Sequence, residues 1–147
     1  MTASRIHKAK IREHLQELKD AIAIGIESRP ATIGFHACAC AIDLLELYLH
    51  KSGKIAIGMQ IKHDWFKRPK PEQKILPLAE RHLQGDFPSK PEILDLFYTL
   101  EENRNKLIYG HATLSEIKLT LEAFEKTKKI LLPLLQEDGE EIESADS

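Results

Sequence analysis

The apolar positions of this chain fall in helical steps along most of its length. Ile11, Leu15, Leu18, Ile22 and Ile26 follow at intervals of three and four, which places them in one stripe. Lys8, Arg12, Glu13, Glu17 and Lys19 lie mostly outside that stripe, so the spacing predicts an amphipathic helix starting after Ser4. It is expected to stop at Arg29-Pro30, because the residue before a proline avoids helical geometry. His7 and His14, seven residues apart on this helix, are expected to face solvent. The next segment, about Thr32 to Lys51, is apolar almost all round, rich in Ala and Cys in its first half and in Leu in its second. Its exceptions are His36, Asp43, Glu46 and His50, with Gly53 suited to end it. A helix without a polar face is enclosed by others, which makes this one the expected centre of the core and His36 a satisfied core histidine.

The pattern breaks between Lys54 and Pro71, where a short strand and a short helix fit Ile55 to Ile61 equally. Glu72 to Leu83 reads as a helix interrupted at Pro77, followed by a Gln-Gly-Asp-Phe-Pro loop. Ser89-Lys90-Pro91-Glu92 predicts a helix start, with serine as cap and proline in the first turn. Ile93, Leu94, Leu96, Phe97, Leu100, Leu107 and Ile108 are its apolar positions, and Gly110 its expected C-terminal cap. Thr113-Leu114-Ser115-Glu116 is a second capping box, opening a last helix striped by Ile117, Leu121, Phe124, Leu131 and Leu135. Nothing alternates as a strand over a useful length. The expected fold is all-α, an up-and-down bundle of four to five helices in one domain, residues 1–136.

Composition adds an asymmetry. The chain of 147 residues carries a formal charge of −2, yet residues 137–147 alone carry −6, leaving +4 on residues 1–136. The acidic tail is expected to be solvated and disordered, and the mildly basic body tolerates a polyanionic partner without requiring one. Cys38 and Cys40, two apart among alanines and leucines, point in different directions on a helix and are expected as buried free thiols. That fits a reducing compartment. No His/Cys/Asp/Glu cluster has metal-ligand spacing, and no cofactor motif is present. The N-terminus lacks an apolar signal core and no uninterrupted apolar run reaches about 18 residues, so the expected setting is soluble and cytoplasmic, away from membranes.

The stretch from Glu101 to Thr113 holds the candidate chemistry. Arg104 offers a planar fork of donors for a phosphate, and His111, after six intervening residues, carries a group suited to moving protons. The spacing alone is weak, because Arg29 and His36 repeat it. Context separates the two pairs: Arg104 and His111 flank the turn between two capped helices, where polar side chains can converge at a surface.

Three features together resemble the HEPN family of α-helical domains. They are the amphipathic opening helix followed by the Ala-rich stretch from Gly34 to Leu49, an Arg-x4-6-His motif with the polar Asn105 after the arginine, and the string Arg-Asn-Lys-Leu-Ile-Tyr-Gly-His. The resemblance covers roughly residues 5–135 and implies a homodimer that brings two motifs into one cleft. It further implies a metal-independent endoribonuclease of toxin type. In that role His111 would handle the proton of a ribose 2′-hydroxyl, Arg104 would stabilise phosphoryl charge, and Asn105 would orient the histidine or the backbone. The same resemblance allows a noncatalytic module that binds a nucleotide, RNA or a cognate antitoxin of nucleotidyltransferase type. Tyr109 stands where many relatives place the histidine, and Gln-Gln-x-x-Glu-Lys is missing from the second helix, where Asp43 is the remaining polar counterpart.

Further substrate-binding candidates surround the motif. Lys106 and Tyr109 lie within it. Trp65 beside Lys67 and Arg68 would either stack a base above a basic rim or pin a basic loop to the core. Asp43 and Glu46 would either shape an active cleft or seal a dimer seam, since unpaired burial of a carboxylate is costly.

Overall fold

The computed structural model describes residues 4–56 and 58–137, so the expectation of a disordered acidic tail falls outside the described residues but for Glu137. The fold is an all-α bundle, with no strand among the described residues. Its helices are α1 (Ser4–Ile24), α2 (Pro30–Lys51), α3 (Leu78–His82), α4 (Lys90–Tyr109) and α5 (Leu114–Glu137). Cross-helix pairs set the directions. His7 meets Glu46, Cys38 meets Leu100, and Lys106 meets Glu116, so α1 and α2, α2 and α4, and α4 and α5 each run antiparallel.

Helix α1 stops at Gly25, four residues before Arg29. Gly25 adopts φ 129°, a conformation that side chains other than hydrogen rarely take, and a 3₁₀ turn at Ile26–Ser28 leads into Pro30 at the start of α2. The buried stripe of α1 therefore runs through His7, Ile11, Leu15, Leu18 and Ala21, while Ile22 is half exposed. Helix α2 is the centre of the core and packs against α1, α4 and α5. Its mean hydropathy and 22-residue length suffice to cross a membrane, but 67% of its most apolar window is buried by the bundle, as expected of a core helix.

Close packing of α2 on α4 depends on Gly34. A Cβ built there would lie 2.6 Å from Leu107 Cβ and 3.3 Å from Ile108 Cγ1, so the glycine sets how near the two helices stand. Below this contact Cys38 donates its thiol proton to the Leu100 carbonyl at 3.5 Å, and Cys40 does the same to the Ile11 carbonyl at 3.9 Å. Both cysteines are buried free thiols, as their neighbours in sequence lead one to expect.

The histidines of α1 correct the reading from sequence. His7 is 3% exposed and bonds Glu46 Oε1 through Nε2 at 2.8 Å. His14 is largely buried, with Nδ1 2.8 Å from His36 Nδ1 and Nε2 3.4 Å from Asp43 Oδ2. The physical reason is reciprocal: His36, Asp43 and Glu46 of α2 face α1, and histidines on α1 meet them. Glu46 also accepts the Ile61 amide at 2.8 Å, and His50 Nε2 donates to the Met59 carbonyl at 2.9 Å. Side chains of α2 thus satisfy the backbone of the 53–62 connection. Neither a strand nor a helix forms among its described residues.

Beyond it a 3₁₀ turn, His63–Phe66, buries Trp65 and Phe66. The helix expected over Glu72 to Leu83 reduces to a 3₁₀ turn at Pro71–Gln73 and the five residues of α3, which starts directly after Pro77. Ser89 does not cap α4. It sits at φ 60°, ψ 22°, a left-handed conformation from which its side chain makes no capping bond. Lys90 instead reaches back to the Leu83 and Gly85 carbonyls. The box at α5 does form: Glu116 accepts the Thr113 amide at 2.8 Å and Thr113 Oγ1 accepts the Glu116 amide at 3.1 Å. Gly110 receives the end of α4 by donating its amide to Lys106, in an extended rather than left-handed conformation.

Two predictions follow from this packing. Gly34→Ala should destabilise the fold by about 1–3 kcal/mol in denaturant unfolding, because Leu107 backs the new methyl and overpacking costs that much. An unchanged midpoint would show that α4 yields freely. The second concerns His36, whose pKa is lowered from 6.5 by burial and by His14, against Glu17 and Glu13. The unfolded chain therefore takes up the proton first, and His36 contributes stability that is lost as pH falls below about 6.5. The stability of the wild type relative to His36→Gln should decline over that window and stay constant above it.

Candidate functional site

Arg104 lies on the face of α4 that α2 does not cover completely. There the bundle leaves a groove of about 390 Å³. Phe35, Cys38, Ala39, Ile42 and Asp43 of α2 form one wall, residues Ile61 to Asp64 form another, and Arg104 completes it. The guanidinium of Arg104 makes one hydrogen bond, from Nη1 to Asn105 Oδ1 at 3.4 Å, and no carboxylate pairs with it among the described residues. Its remaining donors are therefore open to an anion. Asn105 serves as a neighbour that restrains the arginine.

A second pair meets at the same groove. His63 Nδ1 stands 3.0 Å and 3.2 Å from the two oxygens of Glu101, one helical turn before Arg104 on α4. The Glu101 side chain is 5% exposed, whereas that of His63 is 43% exposed and lines the groove. Burial pushes the Glu101 carboxyl above the usual carboxylate range, opposed by His63, Arg104 and Lys67. A carboxylate that receives Nδ1–H leaves Nε2 as the basic nitrogen of the ring. The arrangement is an imidazole fixed from behind and open in front, with a free guanidinium beside it. Chemically, it can hold an oxyanion and move a proton next to it.

The other groove residues have narrower roles. Asp43 lines the wall and is engaged by His14, while Glu46, buried between His7 and the Ile61 amide, stands behind the lining and is not part of it. The Cys38 thiol is pushed up to about 12 by burial and by Glu101, so it stays protonated at neutral pH. Among the described residues no group of three or more His, Cys, Asp or Glu side chains is placed to hold a metal ion.

The remaining sequence candidates are dispersed. His111 is exposed, as is Tyr109 at 80%, and neither lines the groove that holds Arg104. Lys106 is tied to Glu116 Oε2 at 2.7 Å across the α4–α5 turn. Arg68 pairs with Asp95 Oδ1 at 3.0 Å and with Glu102, and stacks 5.0 Å above the Tyr98 ring. It therefore clamps the loop to α4. Trp65 is 8% exposed and stacks on His82 at 4.3 Å, the pinning arrangement of the two considered. Lys67 lines a separate open cleft with Lys70, Arg81, Ile75 and Leu76.

His63 and Glu101 were not singled out from sequence. Glu101 did leave a trace: it interrupts the apolar step from Phe97 on an otherwise buried face. Its partner lies 38 residues away, beyond any local pattern. Comparison with protein-family models, curated proteins and solved structures finds no match to the chain.

One prediction tests the closed state of the groove floor. A thiol-reactive dye at pH 8 should label neither Cys38 nor Cys40 in the folded protein and both after denaturation, since each is buried and its thiol pKa is raised. Stoichiometric labelling of Cys38 without unfolding would mean that the floor opens.

Proposed function

We propose that this chain acts on RNA as a HEPN-like protein, with the Arg104 groove taking a backbone phosphate. The observation that carries the reading is the guanidinium of Arg104, paired with no carboxylate among the described residues, on the wall of a groove it shares with Lys62, His63, Asp43 and Asp64. An arginine left unpaired beside a cavity matches the fork of phosphate oxygens, and a phosphodiester backbone is the polymer that repeats that group. The reaction class is metal-independent phosphoryl transfer. The ribose 2′-hydroxyl attacks the adjacent phosphorus, giving a 2′,3′-cyclic phosphate and a free 5′-hydroxyl. Preformed donors stabilise the charge that develops on the phosphoryl oxygens without reorganising. A cytoplasmic homodimer joining two copies of the 104–113 segment would supply His111 across the two-fold axis.

A second reading is favoured by one observation. His111 stands outside the groove, with Tyr109 in the commoner histidine place, and a module that only binds RNA, a nucleotide or an antitoxin partner has no need of it.

Titration of a labelled single-stranded RNA tests the shared core of both readings. Arg104→Ala should weaken binding at least tenfold and lower the salt slope by about 1, as expected for loss of one phosphate contact. Arg104→Lys should fall between, since an ammonium keeps the charge but loses the fork. Equal affinity of wild type and Arg104→Ala would remove the groove from RNA binding.

A further inference from the structure

We infer that His63, positioned by the buried carboxylate of Glu101, is the proton-transferring residue of the Arg104 groove. The inference rests on the reading of this groove as an RNA phosphate site, and assigns the step to a residue within one chain.

The geometry supports this in three ways. First, Glu101 is enclosed in the bundle, and its only hydrogen-bond partner among the described residues is His63, through both carboxylate oxygens. Enclosing a carboxylate costs free energy that packed hydrophobic residues of similar volume would avoid, so its retention points to a task. Second, the carboxylate is gripped from the core side while the imidazole faces the groove. That is the order needed to fix the ring's tautomer and to stabilise it when it becomes positively charged. Third, Arg104 follows Glu101 by three residues on α4. One helix face therefore carries both the group that orients the base and the group that holds the phosphate.

The step balances within this set. The 2′-hydroxyl gives its proton to His63 Nε2 as its oxygen bonds to phosphorus, and Arg104 takes the charge on the non-bridging oxygens. The bond from phosphorus to the 5′-oxygen breaks, and that oxygen takes a proton from bulk water. The imidazolium then returns its proton to the hydroxide left in solvent. His63 is thus the catalytic residue and Glu101 a positioning residue that acts through it. Cys38 beside them stays out of the chemistry as a protonated thiol.

A DNA oligonucleotide with one internal ribonucleotide provides the test, read by single-turnover cleavage and by appearance of a cyclic phosphate end. His63→Gln should cleave at least 100-fold more slowly, within the range that general base catalysis spans, with RNA affinity within twofold of wild type. Added imidazole should restore part of the rate to His63→Ala. Glu101→Gln should slow cleavage at least tenfold and move the acid limb of the pH–rate profile to lower pH, because the imidazolium loses its counter-charge. A merely structural role would not move that limb.

The outcomes separate the two ideas. Wild-type cleavage by His63→Gln, with Arg104→Ala inactive, overturns the role of His63 and leaves the RNA reading standing. Arg104-dependent binding by a wild type that never cleaves does the same. Binding indifferent to Arg104 removes the RNA reading itself and the inference with it. If the His63 and Glu101 variants fail to fold, imidazole nitrogen NMR on the wild type decides. His63 should show protonated Nδ1 and bare Nε2, with Nε2 shifting on addition of an uncleavable 2′-O-methyl RNA. The opposite tautomer, or a ring resonance indifferent to that RNA, would refute the assignment.

Discussion

The separation of α2 and α4 at Gly34 is the constraint on which the rest of the molecule depends. Leu107 occupies the space in which any other residue would hold a side chain, so the two helices are brought together at that level. Once they meet there, the levels below are determined by side-chain size. Cys38 fits against the Leu100 carbonyl, and the next contact has to accommodate Glu101, which no apolar neighbour on α2 can satisfy. The chain solves this from outside the two helices, by folding the 61–66 segment over the gap so that His63 meets the carboxylate. The groove is the space left where that segment, α2 and α4 do not close completely. Its position follows from the helix packing rather than from any loop acting alone.

A comparable logic joins α1 to α2. Asp43 and Glu46 stand on the central helix of the core, and each finds a histidine on α1. His14 and His36 share one position for a proton between facing Nδ1 atoms, so protonating both rings would set two N–H groups head-on at 2.8 Å. His7 has a residual defect: its Nδ1 is buried without a hydrogen-bond partner among the described residues. An unsatisfied ring nitrogen costs about 1–3 kcal/mol, and the bond from Nε2 to a buried carboxylate offsets it. Polar pairing thereby fixes the register of α1 on α2, where leucines alone would permit slippage.

What was legible in the sequence is what local periodicity encodes. The four long helices, the central place of α2 in the core and the Thr113–Glu116 box each depend on residues a few positions apart, and each is present. Features that depend on distant partners were not legible. His7 and His14 look solvent-facing until Glu46, Asp43 and His36 are brought opposite them. Ser89 has the sequence of a cap but not its backbone, because Lys90 fastens the preceding loop instead. The candidate site divides along the same line. Arg104 was found from its place near the end of a capped helix. His63 and Glu101 were not, since their meeting is created by the fold over 38 residues.

The contrast between the two arginines that border α4 sharpens the meaning of the groove. Arg68 has two carboxylates and an aromatic face, and its charge is spent on holding the 62–70 segment to the helix. Arg104, on that same helix, has among the described residues a single weak contact, to its own neighbour, and stands beside a cavity. Nearby carboxylates are not scarce: Glu101 is close enough to influence it, yet is turned to His63. Were Arg104 a structural arginine, pairing with Glu101 would be the direct way to satisfy both buried charge and guanidinium. The carboxylate is instead given to the histidine and the arginine left open. Such a division keeps the open guanidinium and the carboxylate that holds His63 within one turn of a single helix, while the imidazole itself comes from the 63–66 turn.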